Sequence, residues 1–173
     1  MQERVTLALV LSFEQTGERD GRVVLYTEHD GKVVARARSL YAPRAKLVSH
    51  LQPGTISLVR LVEKKGVQIV DALVQKRLIA GSTETIKAVE YLAILTMLAE
   101  LTHPNQPDPA LWRVIEQGRL ASRELLRILG FDAAHAQCQG CEKLQPSYFL
   151  LRDLSYICKG CFSALKNQRV VVV

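Results

Sequence analysis

The sequence predicts an α+β chain of several units: a small five-stranded β-barrel, a helical segment and a compact module built on four cysteines. Three observations predict it. Residues 4–78 form a succession of short β-branched runs separated by Gly and Pro, the apolar spacing turns helical after Gly81, and all four cysteines stand in two C-x-G-C pairs between positions 138 and 161. The expected boundaries are 1–79 for the barrel, 80–134 for the helical domain, 135–163 for the cysteine module and 164–173 for a C-terminal tail.

The first strand is expected over Val5 to Phe13 and the second over Arg22 to Glu28. His29-Asp30-Gly31 then turns the chain into a third strand, Lys32 to Arg38, because Asp-Gly between two such runs is a strong hairpin signal. A non-strand segment from Ser39 to Pro53 leads to the fourth strand, Thr55 to Lys64, and Gly66 turns it into the fifth, Val67 to Arg77. In the third strand Val33, Ala35 and Ala37 share one face, and Lys32, Val34, Arg36 and Arg38 share the other. The fourth strand is read the same way, with Ile56, Leu58 and Val62 interleaved by Arg60 and Lys64. A barrel with such outward faces offers a track for a phosphate backbone.

Ser82 suits an N-cap, with Glu84 in the first turn against the helix dipole. Ile86, Val89, Ala93, Met97 and Leu101 follow helical spacing, and Leu92, Leu95 and Leu98 widen the apolar surface, so this helix should be packed on more than one side. Pro104 and Pro107 end the pattern. Asp108 and Pro109 start a second helical stretch, with a bend expected at Gly118 and an end at Gly130. On it Arg119, Arg123 and Arg127 form a basic stripe opposite Leu125, Leu126 and Leu129; a solvated face is the simpler reading, since Glu116 and Glu124 each precede an Arg by three residues.

The two cysteine pairs, Cys138 with Cys141 and Cys158 with Cys161, are separated by 16 residues. That spacing suits one zinc ion clamped from two knuckles, and four thiolates close the coordination sphere, so the metal is expected to be structural rather than catalytic. Gly140 and Gly160 would give each knuckle its tight turn. Tyr148 to Leu151 and Leu154 to Ile157 could form a hairpin around Arg152-Asp153. A redox C-x-x-C and two structural disulfides are the competing readings, and His135 is read as a surface residue. The Val170 to Val173 tail is apolar, with no packing partner apparent.

The composition, 48% hydrophobic and 23% charged, is that of a folded, soluble chain. Of the 23 Lys and Arg and 17 Asp and Glu, residues 1–80 hold 13 basic and 8 acidic, which places the net charge of +6 almost wholly in the barrel. Such asymmetry points to a polyanionic partner. No secretory leader is recognised: Val5 to Leu11 is apolar, but Glu14 stands where a cleavage site would be. Ile86 to Leu101 is interrupted by Lys87, Glu90 and Glu100, too polar to cross a bilayer. A cytoplasmic protein with no membrane partner and no small-molecule substrate is expected. No Gly-rich phosphate loop, nucleophile elbow or deaminase His-x-Glu is found, and His29, His50, His103 and His135 lack a triad neighbourhood. Glu14, Glu18, Asp20, Glu28 and Asp30 flank turns and are expected to solvate them. The chain is not expected to be an enzyme.

This order of units resembles the RecO family of bacterial DNA repair and recombination mediators. Gly17-Glu18 followed by Val23-Val24-Leu25-Tyr26-Thr27-Glu28 is similar to that family's first hairpin. Gly31-Lys32-Val33-Val34-Ala35-Arg36-Ala37-Arg38 resembles the segment leading to its Ala-Lys-Gly element, with Arg38-Ser39 in place of Lys-Gly, and Leu47 with Leu51-Gln52-Pro53 continues the register. Glu124-Leu125-Leu126-Arg127-Ile128-Leu129-Gly130-Phe131 resembles its lead-in to zinc. The resemblance implies an OB-fold for the barrel. It also implies a bacterial, nucleoid-associated protein that binds single- and double-stranded DNA, anneals strands, and works with RecR and single-strand-binding protein to load RecA. Helices that the family places beyond the metal module are expected to be lacking.

The expected DNA contacts are phosphate contacts by Arg36, Arg38, Arg44, Lys46, Arg60, Lys64 and Lys65. With Phe13, Tyr26 and Tyr41 the only aromatics of the barrel, base stacking, about 1–3 kcal/mol per base, should not dominate. The alternative is a zinc-stabilised protein-interaction adaptor that does not bind DNA; a nuclease or RNA-modifying enzyme using the early carboxylates ranks third.

Overall fold

The computed structural model describes residues 2–42, 46–78, 85–164 and 169–173, with side chains from residue 88 onward in the third segment. Arg44, the Ser82 cap, Glu84 in the first turn and the Ile86 side chain lie outside the described residues. Strand β1 (Gln2–Thr16) is long because its centre is buried on both sides. Ala8 and Val10 enter one core, Leu9 and Leu11 another, and none of the four is more than 3% exposed. A bulge between Val10 and Ser12 bends the strand so that its first half pairs with one neighbour and its second half with another.

Strands β2 (Asp20–Thr27), β3 (Gly31–Ala37), β4 (Thr55–Glu63) and β5 (Val67–Arg77) complete a ring in the order β1-β2-β3-β5-β4, with β4 returning to β1. All neighbours are antiparallel except β3 and β5, joined in parallel through Ala35↔Val67, Arg36↔Gln68 and Ala37↔Ile69. Val23, Leu25, Val33, Ala35, Val59, Leu61 and Ile69 fill the interior. Leu40 and Leu51, from the segment between β3 and β4, close it and are at most 1% exposed. The alternation expected in β3 holds, with Val33, Ala35 and Ala37 buried and Val34 and Arg36 exposed. In β4 the expected assignment fails on parity. Leu58, Arg60 and Val62 are two apart, so they share the outward face, while Ser57, Val59 and Leu61 point in.

A second core lies outside the ring. Leu9, Leu11, Tyr26 and Ile56 pack beneath α1 (Thr85–Leu101), α2 (Pro109–Gln117) and α3 (Ser122–Ile128). Ile94, Leu95, Met97 and Leu98 carry α1 into this core, but Val89 and Leu92 are 61% and 50% exposed. The helix therefore buries one broad face of its C-terminal half, where it meets β1 and β2, rather than packing all round. Asp108 caps α2 as expected, accepting the N–H groups of Ala110 and Leu111 at 2.8 and 3.1 Å, with Pro109 in the first turn. At Gly118 the chain turns left-handed (φ 76°) and ends α2 outright. Arg119 is therefore off the helix that carries Arg123 and Arg127, and the three-residue stripe does not form.

The barrel is fastened to the helices at the β2–β3 turn. Gly31 has φ 65°, and a Cβ there would stand 2.4 Å from the Gln106 carbonyl oxygen, so only glycine allows this approach. Beside it the buried Tyr26 hydroxyl accepts the Asp108 N–H at 2.9 Å, and Lys32 Nζ donates to the Ala99 carbonyl at 2.8 Å. Tyr26→Phe leaves that N–H without its acceptor and should cost about 1–3 kcal/mol in urea unfolding.

The last unit is a three-stranded sheet. β6 (Tyr148–Leu150) and β7 (Ser155–Ile157) pair as the expected hairpin, and β8 (Val170–Val172) pairs antiparallel on the other side of β6. The apolar tail is thus a strand, with Val171 2% exposed. Phe149, fully buried, joins the sheet to the second core through Phe131 and Tyr156, at ring-centroid distances of 5.1 and 4.9 Å. Among the described residues no helix is long and apolar enough to cross a membrane.

Candidate metal centre and basic face

The cysteine pairs sit on two chain turns braced by this sheet. The first leaves a short 3-10 turn (Ala133–His135) and folds back, with Cys138 N–H donating to the Lys143 carbonyl at 2.9 Å and Glu142 N–H to the Cys138 carbonyl at 2.8 Å. Gln139 N–H donates to the Tyr156 carbonyl at 2.9 Å, which ties this turn to β7. The second pair opens α4 (Lys159–Phe162), a single helical turn directly after β7.

All four sulfur atoms lie within 4.8 Å of one another, and Cys141 Sγ is 3.7 Å from Cys158 Sγ. Tetrahedral thiolates about 2.3 Å from one ion are about 3.8 Å apart, so the arrangement fits a four-coordinate metal and could hold one. Backbone N–H groups already point at the sulfurs, Cys158 N to Cys138 Sγ at 3.2 Å and Cys161 N to Cys158 Sγ at 3.5 Å. The first lowers the Cys138 thiol pKa to about 6 and the second also lowers Cys158. Cys161 goes the other way, to about 12, because the Cys141, Cys158 and Cys138 sulfurs crowd it. A cation among the four sulfurs would offset the mutual repulsion that opposes their full ionisation. None of the four cysteines is in a disulfide. His135 is exposed and outside the cluster.

The glycines of the two pairs differ. A Cβ at Gly140 would lie 3.1 Å from Cys161 Sγ, whereas one at Gly160 meets nothing nearer than Cys158 Sγ at 4.0 Å. Gly140 makes room for the opposite pair; Gly160 has no steric reason of this kind.

The cations singled out from the sequence fall into separate groups. Arg36 and Arg38 project from β3 and the residue beyond it, and both are exposed. Lys64 and Lys65 form the β4–β5 turn, which the parallel pairing brings beside β3. Lys46 is exposed just before a 3-10 turn (Leu47–His50). Arg60 lies apart, on the face where Val5, Arg60 and Asp71 stand in one cross-strand row. Arg22, which the sequence did not bring out, stands directly opposite Arg36 and lines the same groove with Thr16, Val34, Gly66 and Val67.

Several of these arginines are already partnered. Arg36 pairs with Asp20, Arg22 with Glu14 at 2.8 Å, Arg60 with Glu3 at 3.3 Å, and Arg4 with both Asp30 and Glu63. Glu14, Asp20 and Asp30 thus neutralise arginines rather than merely solvate turns. Arg38, Lys46, Lys64 and Lys65 have no acidic partner among the described residues. Of the three barrel aromatics, Tyr26 is buried, and Phe13 and Tyr41 stand with ring centroids 6.1 Å apart, both half-buried.

The fold and the site define a class, a five-stranded barrel protein with a helical layer and an appended sheet whose four clustered cysteines could hold a metal ion. Residues 1–77 match the family described as Recombination protein O N terminal. The chain is also 24% identical over 175 residues to the DNA repair protein RecO of Bacillus pumilus (strain SAFR-032), across 90% of this chain and 67% of that protein. The chain is thus similar to the RecO family, through its N-terminal 77 residues and through a weaker likeness along most of its length.

Proposed function

We propose that this protein acts in recombinational DNA repair by binding the phosphate backbone of single- and double-stranded DNA, without turnover of a substrate. The observation that carries the reading is a set of exposed cations, Arg38, Lys46, Lys64 and Lys65, that form no ion pair among the described residues, on a barrel of the recombination protein O type. The barrel, residues 1–79, takes the part of an OB-fold; residues 80–134 form the helical domain and 135–163 the metal module, to which β8 (Val170–Val172) adds its third strand. Arg44 belongs with the DNA contacts by its place in the sequence, and Arg36 and Arg60 contribute from their strands.

Annealing follows from the same surface, since two strands held on one screened basic face repel each other less while their base edges stay free. RecR, single-strand-binding protein and RecA are the partners that the family relationship suggests, in a bacterial cytoplasm. One zinc ion, held by Cys138, Cys141, Cys158 and Cys161, supplies a fixed tetrahedral node for the sheet. The thiolates only hold it; four ligands leave no position for a reacting water.

The test is binding to single-stranded and duplex DNA side by side over a salt series. Affinity should fall with a log–log slope of about −0.7 per phosphate contacted on single strands, and Arg38→Ala with Lys46→Ala should flatten it. An affinity indifferent to salt overturns the phosphate reading. The exposed Val89 and Leu92 favour a second reading, an adaptor that docks proteins through α1; partner capture with no DNA binding would select it.

A further inference from the structure

Among the ion pairs of the barrel, the one at Asp20 is built differently. Arg22 and Arg60 each meet their acid through a single nitrogen at exposed positions, and Arg4 is drawn in between Asp30 and Glu63 with 23% of its side chain exposed. Asp20 instead gathers donors of two kinds. Arg36 reaches Oδ2 through both Nε, at 3.0 Å, and Nη2, while the Ser39 N–H reaches Oδ1 at 2.9 Å. Arg38 is close enough for its charge to act on the same carboxylate. Ser39 has φ 53°, a left-handed residue that turns its N–H back toward the strand end.

A guanidinium presenting two N–H groups, a backbone N–H and a second cation form a donor set that suits a phosphodiester oxygen as well as a carboxylate. It lies next to Arg22 and the groove running to the β4–β5 turn. Asp20 stays charged through the neutral range, because the Ser39 N–H and the Arg36 guanidinium hold its carboxyl below the usual carboxylate range.

We propose that Asp20 is an internal competitor: its carboxylate fills an anion site formed by Arg36, Ser39 and Arg38, which a DNA phosphate takes over only by displacing it. This rests on the DNA-binding reading and adds a restraint to it. The competition weakens binding to isolated phosphates, so DNA that also engages Lys46, Lys64 and Lys65 gains the site as part of a longer contact.

Asp20→Asn tests it, because the amide keeps an oxygen for the Ser39 N–H and loses the charge. Binding of labelled oligothymidylate to the full chain should tighten about fivefold and the salt slope should steepen by about 0.7, one further phosphate. Arg36→Gln should cost the native chain less affinity than it costs the Asp20→Asn chain, where it should abolish the gain. If Asp20→Asn lowers the melting temperature, the Arg36 comparison decides. Arg36→Gln alone costing as much as Arg38→Gln shows an uncontested site and overturns the inference. A native chain that binds with no gain in Asp20→Asn overturns the inference alone; a native chain that does not bind DNA overturns the proposed function with it.

Discussion

Gly31→Ala should destabilise the protein by about 3–5 kcal/mol, far more than the same change at Gly17. Both glycines have left-handed φ, 65° and 74°, and an alanine pays about 1 kcal/mol for that conformation alone. At Gly17 the added methyl meets nothing within 4 Å, whereas at Gly31 it meets the Gln106 carbonyl oxygen at 2.4 Å and the Pro107 nitrogen at 2.8 Å. These are backbone atoms in the segment that carries Asp108, so relief requires the β2–β3 turn and the start of α2 to separate. That separation exposes the Tyr26 ring and breaks its hydrogen bond to Asp108. Urea midpoints of the two variants settle the matter. Equal losses would mean that the barrel and helices are not held together at this point.

Removal of the metal should have the second large effect. One zinc per chain is expected after purification and none in Cys158→Ser, with at least the stability loss of Phe149→Ala, about 3–5 kcal/mol. The reason is the short length of the strands: β6, β7 and β8 have three residues each, too few to stand without a brace. Through Phe149 the loss reaches Phe131 and the core beneath α1 and α2. Hydrogen exchange over residues 148–157 should accelerate on chelation before the barrel responds. Full protection of these strands in a metal-free chain would contradict the structural role.

Local signals made much of this molecule legible. Strand positions in the barrel followed from β-branched runs and turn residues, and the four thiols from a spacing that works within a few residues. What escaped depends on pairing across the chain. The role of Val170 to Val172 appears only once β6 is seen to have a free edge, and a run of four valines carries no alternation to mark it. Arg22 gains its meaning from standing opposite Arg36, and the neutralising acids reach their arginines over 16 and 57 positions for Asp20 and Glu3. The misreading of β4 was arithmetic of another kind, since Leu58 and Arg60 have the same parity and must share a face. Val89 and Leu92 fit helical spacing, but spacing does not say how much of a helix finds something to cover it.

The strand order also bears on how the protein assembles. β1, β2 and β3 follow one another as neighbours, and β4 and β5 form a hairpin of their own, so each group can pair early from nearby sequence. The seams that join the groups, β1 with β4 and β3 with β5, link residues about 30 to 60 positions apart and bear the entropy of loop closure. Ring closure is thus the expected rate-limiting event in folding. Substitutions within the early-pairing β2–β3 hairpin and at the Ala35–Val67 seam should both slow refolding, while those in elements that dock after closure should chiefly alter unfolding.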